Sequence, residues 1–243
     1  MKNYLFVAGC ARSGTSALAQ LLSGSQDIVI GMERYGHLVQ PDDFRLNESH
    51  FTKERFFEMK DGDTFYEDFD KFHKFDANLE KKFDDCKWIG DKRPDLYESY
   101  DQLFKAFPSC TLIFIYRNLE DVASSYQARI KKGENWPASK DFKAAVREWN
   151  RSLYLTREAL KKGYNIKVVD YDSIFCSDKK IDPIFNCLGL NMDEGIDQKV
   201  REIRERSSQL VTERKSYLSK VELDYIENNA KKFLINDLGA KLI

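Results

Sequence analysis

The sequence has no C-x-x-C pair and an odd number of cysteines: Cys10, Cys86, Cys110, Cys176 and Cys187. That set fits neither a disulfide framework nor a Cys-rich zinc site, and it reads as the reduced thiols of a cytoplasmic protein. The three histidines, His37, His50 and His73, show no H-x-x-x-H spacing, so no metal site is expected. No apolar run approaches the roughly 20 residues that span a bilayer. The start, one Lys before a strand-like run, does not resemble a signal peptide. Charge of one sign is not in excess either. With 39 basic and 40 acidic residues the net charge is -1, which excludes global attraction to nucleic acid or to an anionic membrane. Any anion has to be held locally. There is no internal repeat, low-complexity tract or Gly/Ser/Pro linker, and residues 1–243 are expected to form a single domain.

What is present is an alternation of strand and helix signals. Tyr4–Ala8 is a short apolar run, read as a buried strand, and Gly9–Gly14 is a loop. Thr15–Ser23 is a helix whose apolar face is Ala17, Leu18, Leu21 and Leu22. Asp27–Ile30 and Lys87–Gly90 are further strands, and Pro94 opens a helix to Phe107. Thr111–Tyr116 (TLIFIY) is β-rich and apolar on both faces, so it belongs inside a sheet, at its centre. Asn118 caps the next helix, with Glu120 and Asp121 in its first turn, where the helix dipole favours acids. A long helix is expected from about Lys140 to Lys162, stopped by Gly163, then a strand over Asn165–Asp170 and two or three closing helices. Residues 42–86, charged and rich in Phe, read as irregular helices: a helical cap, or an insertion walling an acceptor. This order implies an α/β, three-layer, P-loop-like fold with a central parallel sheet flanked by helices.

Two segments carry the chemistry. Gly9-Cys10-Ala11-Arg12-Ser13-Gly14-Thr15-Ser16 joins the first strand to the first helix. Glycines allow tight turning there, and free N–H groups at the helix start favour an anion, so a phosphate is expected on Ser13, Gly14, Thr15 and Ser16. The spacing is that of the ATP-binding loop, but Thr15 stands where that loop has its lysine, and a cation sits inside the loop as Arg12. The second segment follows TLIFIY. Arg117 ends the strand, where open α/β sheets bind ligands. Ser125 and Arg129 are i, i+4 neighbours on the next helix. Two guanidiniums and a hydroxyl can hold a second phosphate by forked hydrogen bonds. Arg129 also reads as an exposed helix charge paired with Asp121 or Ser125.

These residues resemble the sulfotransferases that use 3′-phosphoadenosine 5′-phosphosulfate (PAPS). The first loop resembles their 5′-phosphosulfate loop, and Arg117-Asn118…Asp121-Val122…Ser125 resembles their 3′-phosphate motif. Asp91-Lys92-Arg93-Pro94 resembles a short Lys-x-Pro motif, Val169–Ile174 a Tyr–acid motif, and Cys187–Leu190 the Leu-Gly-Leu that follows it. Within the family the likeness is nearest to the tyrosylprotein branch. Gly31-Met32-Glu33 resembles a Gly-Glu-Glu whose last acid is the base. Residues 205–211 and Leu218-Ser219-Lys220 resemble a C-terminal cofactor-binding stretch. Leu119 stands where Pro is usual and Val221 where Trp is expected, and a small-molecule, carbohydrate or peptide acceptor stays open.

The resemblance implies a metal-free transfer of sulfonate from PAPS to an acceptor hydroxyl, leaving 3′-phosphoadenosine 5′-phosphate (PAP). Glu33 takes the proton. Arg12 and Lys92 meet the charge on the leaving oxygen and the transferring group. Arg117, Ser125, Arg129 and Ser207 hold the 3′-phosphate, Tyr171 packs near the adenine, and Lys220 closes over the cofactor. Each has a plainer reading: Glu33 as a surface acid paired with Arg34, Lys92 as a solvated loop charge, Tyr171 as core. His37 is the rival base. A P-loop kinase or NTPase, and a non-catalytic nucleotide-binding module, are the alternative classes.

Overall fold

The computed structural model describes residues 2–64, 79–133, 136–177, 179–208 and 217–239, and the backbone alone over 209–214. Its strands are β1 (Asn3–Ala8), β2 (Ile28–Met32), β3 (Val39–Gln40), β4 (Asp43–Phe44), β5 (Trp88–Lys92), β6 (Thr111–Tyr116) and β7 (Ile166–Asp170). Five of them form one sheet in the order β2-β5-β1-β6-β7, with every neighbouring pair parallel. β3 and β4 form a separate antiparallel pair. The helices are α1 (Thr15–Ser23), α2 (Lys53–Phe57), α3 (Leu79–Phe83), α4 (Tyr100–Ala106), α5 (Leu119–Lys131), α6 (Phe142–Lys161), α7 (Tyr171–Phe175), α8 (Asp182–Asn186), α9 (Glu194–Arg214), α10 (Lys220–Asn229) and α11 (Phe233–Leu238).

The period of two along each strand sorts the core into two layers. Leu5 and Val7 of β1 and Ile113 and Ile115 of β6 pack with apolar residues of α1, α7, α8 and α9. Phe6, Ala8, Leu112 and Phe114, on the opposite face, pack with residues of α2 to α6, α10 and α11. Each large apolar side chain so buried contributes roughly 1.5–3 kcal/mol relative to exposure. The two sheet faces therefore hold the fold, and its carboxyl edge is left for polar groups. This is the three-layer α/β arrangement that the alternation of elements implies.

Local signals fix most boundaries. α1 spans the expected residues and starts after Gly14, whose φ of 95° suits glycine. Asn118 caps α5 by accepting from the Glu120 N–H at 2.8 Å. Asp141 caps α6 by accepting from Ala144 at 2.8 Å, and Gly163 follows its end at φ 83°.

Five expectations shift. β5 runs to Lys92 rather than stopping at Gly90, because it lies between β1 and β2 and both ladders continue to its end, pairing Lys92 with Val7 and with Met32. β2 likewise runs to Met32. Pro94 opens a 3₁₀ turn over Pro94–Ser99, and the α-helix begins only at Tyr100. TLIFIY is interior, between β1 and β7, but β1 holds the centre. Among the described residues five helices rather than two or three follow β7, since single-turn α7 and α8 precede the longer ones. Within 42–86 the described residues form β4, a 3₁₀ turn over Glu48–Phe51, α2 and α3, and 65–78 lie outside the described residues.

Candidate active site

The loop after β1, the central strand, is held tightly from behind. The Gly9 N–H donates to the Pro94 carbonyl at 3.0 Å, and a Cβ on Gly9 would lie 2.2 Å from the Ile115 carbonyl oxygen. Arg12 takes a left-handed φ of 69°, and Gly14 follows at 95°. The first intrahelical bond of α1 is Leu18 N–H to Gly14 O at 2.9 Å, which leaves the amides of the first turn for another acceptor. Ser13 is fully buried, and its hydroxyl has no hydrogen-bond partner among the described residues. Thr15 is buried and Ser16 half-buried beside it.

Across the loop lies Tyr171. A Cβ at Gly14 would sit 2.2 Å from its ring, so the ring rests against the loop backbone. Its hydroxyl meets Ser207 Oγ of α9 at 2.8 Å. The Arg117 guanidinium stacks over the same ring at 4.1 Å from the centroid, a cation–π contact. Arg117 is 2% exposed. One arm bonds Asp121 at 2.8 Å, its carbonyl accepts from the Trp149 indole at 2.8 Å, and its buried Nε has no hydrogen-bond partner among the described residues. Arg12 reaches from the loop to α5, where its Nε donates to Ser125 Oγ at 3.0 Å.

Arg12, Ser13, Gly14, Arg117, Ser125, Tyr171 and Ser207 thus form one linked set. Tyr171 is buried, as the plainer reading had it, yet it is also the piece that joins loop, Arg117 and Ser207. Arg129, one turn beyond Ser125, carries its guanidinium over Trp136 at 5.0 Å. Lys220 is exposed at the start of α10, and no hydrogen bond or ion pair among the described residues ties it to the loop. α10 itself is tied to α5 through Gln127 and Glu222 at 2.6 Å.

A second set gathers at the carboxyl ends of β2 and β5. The Glu33 N–H donates to the Lys92 carbonyl at 2.8 Å, and Lys92 Nζ donates to Glu33 Oε1 at 2.6 Å. Lys92 is 2% exposed at its side chain and Glu33 37%, so the lysine is buried and the acid looks outward. Lys92 is therefore no solvated loop charge. Nor does Glu33 pair with Arg34: that guanidinium is wholly buried and bonds Asp63 at 3.0 Å, an acid shared with Arg55. The rival base His37 lies on a 3₁₀ turn with Nδ1 3.8 Å from the Asp63 carboxylate. Behind the pair sits Asp91, 3% exposed. Burial pushes its carboxyl up to about 6, against the N–H groups of Arg34 and Tyr35 and the charge of Lys92, which hold it down.

The family model for sulfotransferases matches residues 5–194. This chain belongs to the sulfotransferase family. Solved sulfotransferases share its fold. The sulfotransferase domain from the curacin biosynthetic pathway aligns with a TM-score of 0.52 at 15% identity, over 82% of this chain and 78% of that one. Sulfotransferase STF1 from Mycobacterium tuberculosis H37Rv aligns with a TM-score of 0.51 at 17% identity, over 90% and 77%. The sulfotransferase domain of the Synechococcus PCC 7002 olefin synthase aligns with a TM-score of 0.50 at 18% identity, over 81% and 77%. No curated protein matches the sequence.

The sulfotransferase match covers the loop, Glu33, Lys92, Arg117, Ser125, Arg129 and Tyr171, and ends before Ser207 and Lys220. Each of the two segments singled out for an anion holds a buried polar atom without a hydrogen-bond partner among the described residues, Ser13 Oγ in one and Arg117 Nε in the other, and such atoms are rare unless something meets them. Among the described residues no helix is long and apolar enough to cross a membrane. Two acids at this edge carried no role in the sequence reading, Asp63 and Asp91. Asp91 gave no signal, because the apolar run ends at Gly90 and only the ladders to β1 and β2 carry the strand past it, where a buried acid has to find donors.

Proposed function

We propose that this sulfotransferase moves a sulfonate group from PAPS to the hydroxyl of a phenol, a sugar or a tyrosine, without a metal, and releases PAP. One observation supports the reading most: Arg12 bonds Ser125 across 113 residues, so that the loop at α1 and the second anion segment lie side by side. PAPS, when bound, supplies the sulfonate and a phosphate leaving group.

The residues of the chain do the rest. The amides of Gly14, Thr15 and Ser16 with the Ser13 hydroxyl hold the 5′-phosphate at the positive end of α1, the Ser13 N–H donating to the Cys10 carbonyl at 3.0 Å. Arg117, Ser125, Arg129 and Ser207 hold the 3′-phosphate, with Tyr171 as the surface on which loop and Arg117 are set, and Lys220 closes from α10. Glu33 takes the acceptor proton, so that the acceptor oxygen bonds to sulfur as the bridging S–O bond breaks and its electron pair goes to the phosphate oxygen. Taking the proton cancels the charge that Lys92 faces. The buried ammonium is then free to meet the charge on the transferring group, at the moment that charge develops. Arg12, on the loop, meets the leaving oxygen.

Thermal unfolding with ligands tests the donor. A ligand at about 100 times its Kd adds roughly 2.7 kcal/mol to stability. PAP is expected to raise the melting temperature clearly more than ATP with magnesium, and equal shifts from the two would sink the two-phosphate reading. Turnover with labelled PAPS against 4-nitrophenol, sugars and tyrosine peptides then separates the acceptor classes.

A further inference from the structure

We propose that Asp91 is the positioning residue of the Glu33–Lys92 pair: its buried carboxylate gathers the backbone on both sides of that pair and sets the direction of both side chains. The inference rests on the sulfonate-transfer reading for its catalytic meaning, but not for its geometry.

Three N–H groups converge on Asp91. Oδ1 accepts from Lys92 at 2.9 Å and from Arg34 at 3.1 Å, and Oδ2 accepts from Tyr35 at 3.3 Å. Two of these donors follow Glu33 directly, and the third belongs to its partner. Glu33 takes a φ of 60°, a left-handed conformation uncommon outside glycine, and it persists only where the surroundings enforce it. Anchors on Arg34 and Tyr35, with the Glu33 N–H on the Lys92 carbonyl, supply that enforcement.

The chemistry selects an acid here over its amide. Three donors spread over both oxygens need two acceptor atoms, and Asn has one oxygen and one NH₂. Gly31 fits the same account. A Cβ there would lie 2.7 Å from Asp91 Oδ1 and 3.0 Å from Arg34 Cβ, so only glycine admits the carboxylate beneath the turn. The charges acting on Asp91 are those of Lys92 and Glu33, with the Arg34 amide donating to it. Asp91 is wholly enclosed and acts through its neighbours rather than on a substrate.

Backbone amide exchange by NMR tests this without donor or acceptor. In the wild type, the Arg34 and Tyr35 amide shifts are expected to follow the titration of the Asp91 carboxyl carbon. In Asp91→Asn both amides should exchange at least tenfold faster. Gly31→Ala, which keeps every charge, should do the same by displacing the carboxylate, and it stands in should Asp91→Asn not fold. With PAPS and 4-nitrophenol, kcat should fall at least tenfold in either variant while the donor KM stays within twofold, a split that general loosening of the fold does not give. The proposal is overturned if the wild-type amides ignore Asp91, if they stay protected in the variants, or if kcat is kept. Failure of PAP to stabilise the wild type sinks the sulfonate reading alone, and the exchange rates still decide the role of Asp91.

Discussion

The two halves of the site are built in different ways. On the donor side the groups sit on short local motifs: a glycine loop running into α1, and a strand running through Arg117 into α5. In the proposed reading their anion sites consist largely of backbone amides and guanidiniums, and the hydrogen bond from Arg12 to Ser125 joins the two segments. On the other side most contacts are long-range. Glu33 meets Lys92 across 59 residues, Arg34 closes on Asp63, and Asp91 bonds a turn on a neighbouring strand. Helix termini and glycines can bind a phosphate wherever they occur, whereas a base has to be aimed by the whole sheet edge.

Breaking the halves separately should give opposite signatures. The largest effect is expected from Glu33→Gln, which keeps shape and removes the proton acceptor. Turnover should fall by roughly 10²–10⁴ while PAP binding, measured by titration calorimetry, stays unchanged. Retention of normal turnover, with loss on His37→Ala instead, would move the base to His37 and its Asp63 neighbour.

Arg117→Ala should do the reverse. Loss of a charge-assisted contact to the 3′-phosphate is worth roughly 1.5–3 kcal/mol, or about 10- to 100-fold in PAP affinity. AMP, which has no 3′-phosphate, should bind the variant almost as it binds the wild type. An equal loss for both nucleotides would make Arg117 a support for Tyr171 rather than an anion ligand.

The smallest effect sharpens the acceptor half. Burial raises the Asp91 carboxyl from 3.8 to about 6. A carboxyl with a raised folded-state value binds its proton more tightly folded than unfolded, so its contribution to stability grows as pH falls through about 6. Relative to Asp91→Asn, the wild type should gain about 1 kcal/mol between pH 7 and pH 5. Denaturant midpoints of the two proteins across that range measure it. Asp63, held low by Arg55 and Arg34 despite burial, titrates below this window and leaves the comparison clean.

The sequence made the donor half legible because its signals are short. Gly14, the Asn118 cap and the apolar run of β6 each act within a few residues, and α1 and β6 lie on the expected boundaries. β5 was less legible. Asp91 and Lys92 are polar, so period and hydropathy end the strand at Gly90, whereas the ladders to β1 and β2 carry it two residues further. The likeness to Gly-Glu-Glu singled out Glu33, but no local pattern gives its partner. An i, i+1 pair with Arg34 is the simpler guess, and it fails because Arg34 is drawn inward by Asp63, a residue far along the chain. Lys220 is a case of the same kind: a motif names the residue, and only tertiary packing says where α10 carries it.

The far end of α1 also carries a charge. Lys82 of α3 is buried and donates to the carbonyls of Ser23 at 2.6 Å and Ser25 at 3.0 Å, so a cation stands at the end of the helix opposite the phosphate loop. That cation is 59 residues further along the chain. During synthesis the helix is complete in sequence by Ser23, and the Gly24 and Ser25 N–H groups close on the Leu21 and Leu22 carbonyls at 3.1 Å, but the Ser23 carbonyl waits for Lys82 to leave the ribosome. At roughly 5–20 residues per second that delay is on the order of several seconds. A nascent chain stalled before residue 82 therefore holds the loop on a helix that has its local caps but not the cation at its far end.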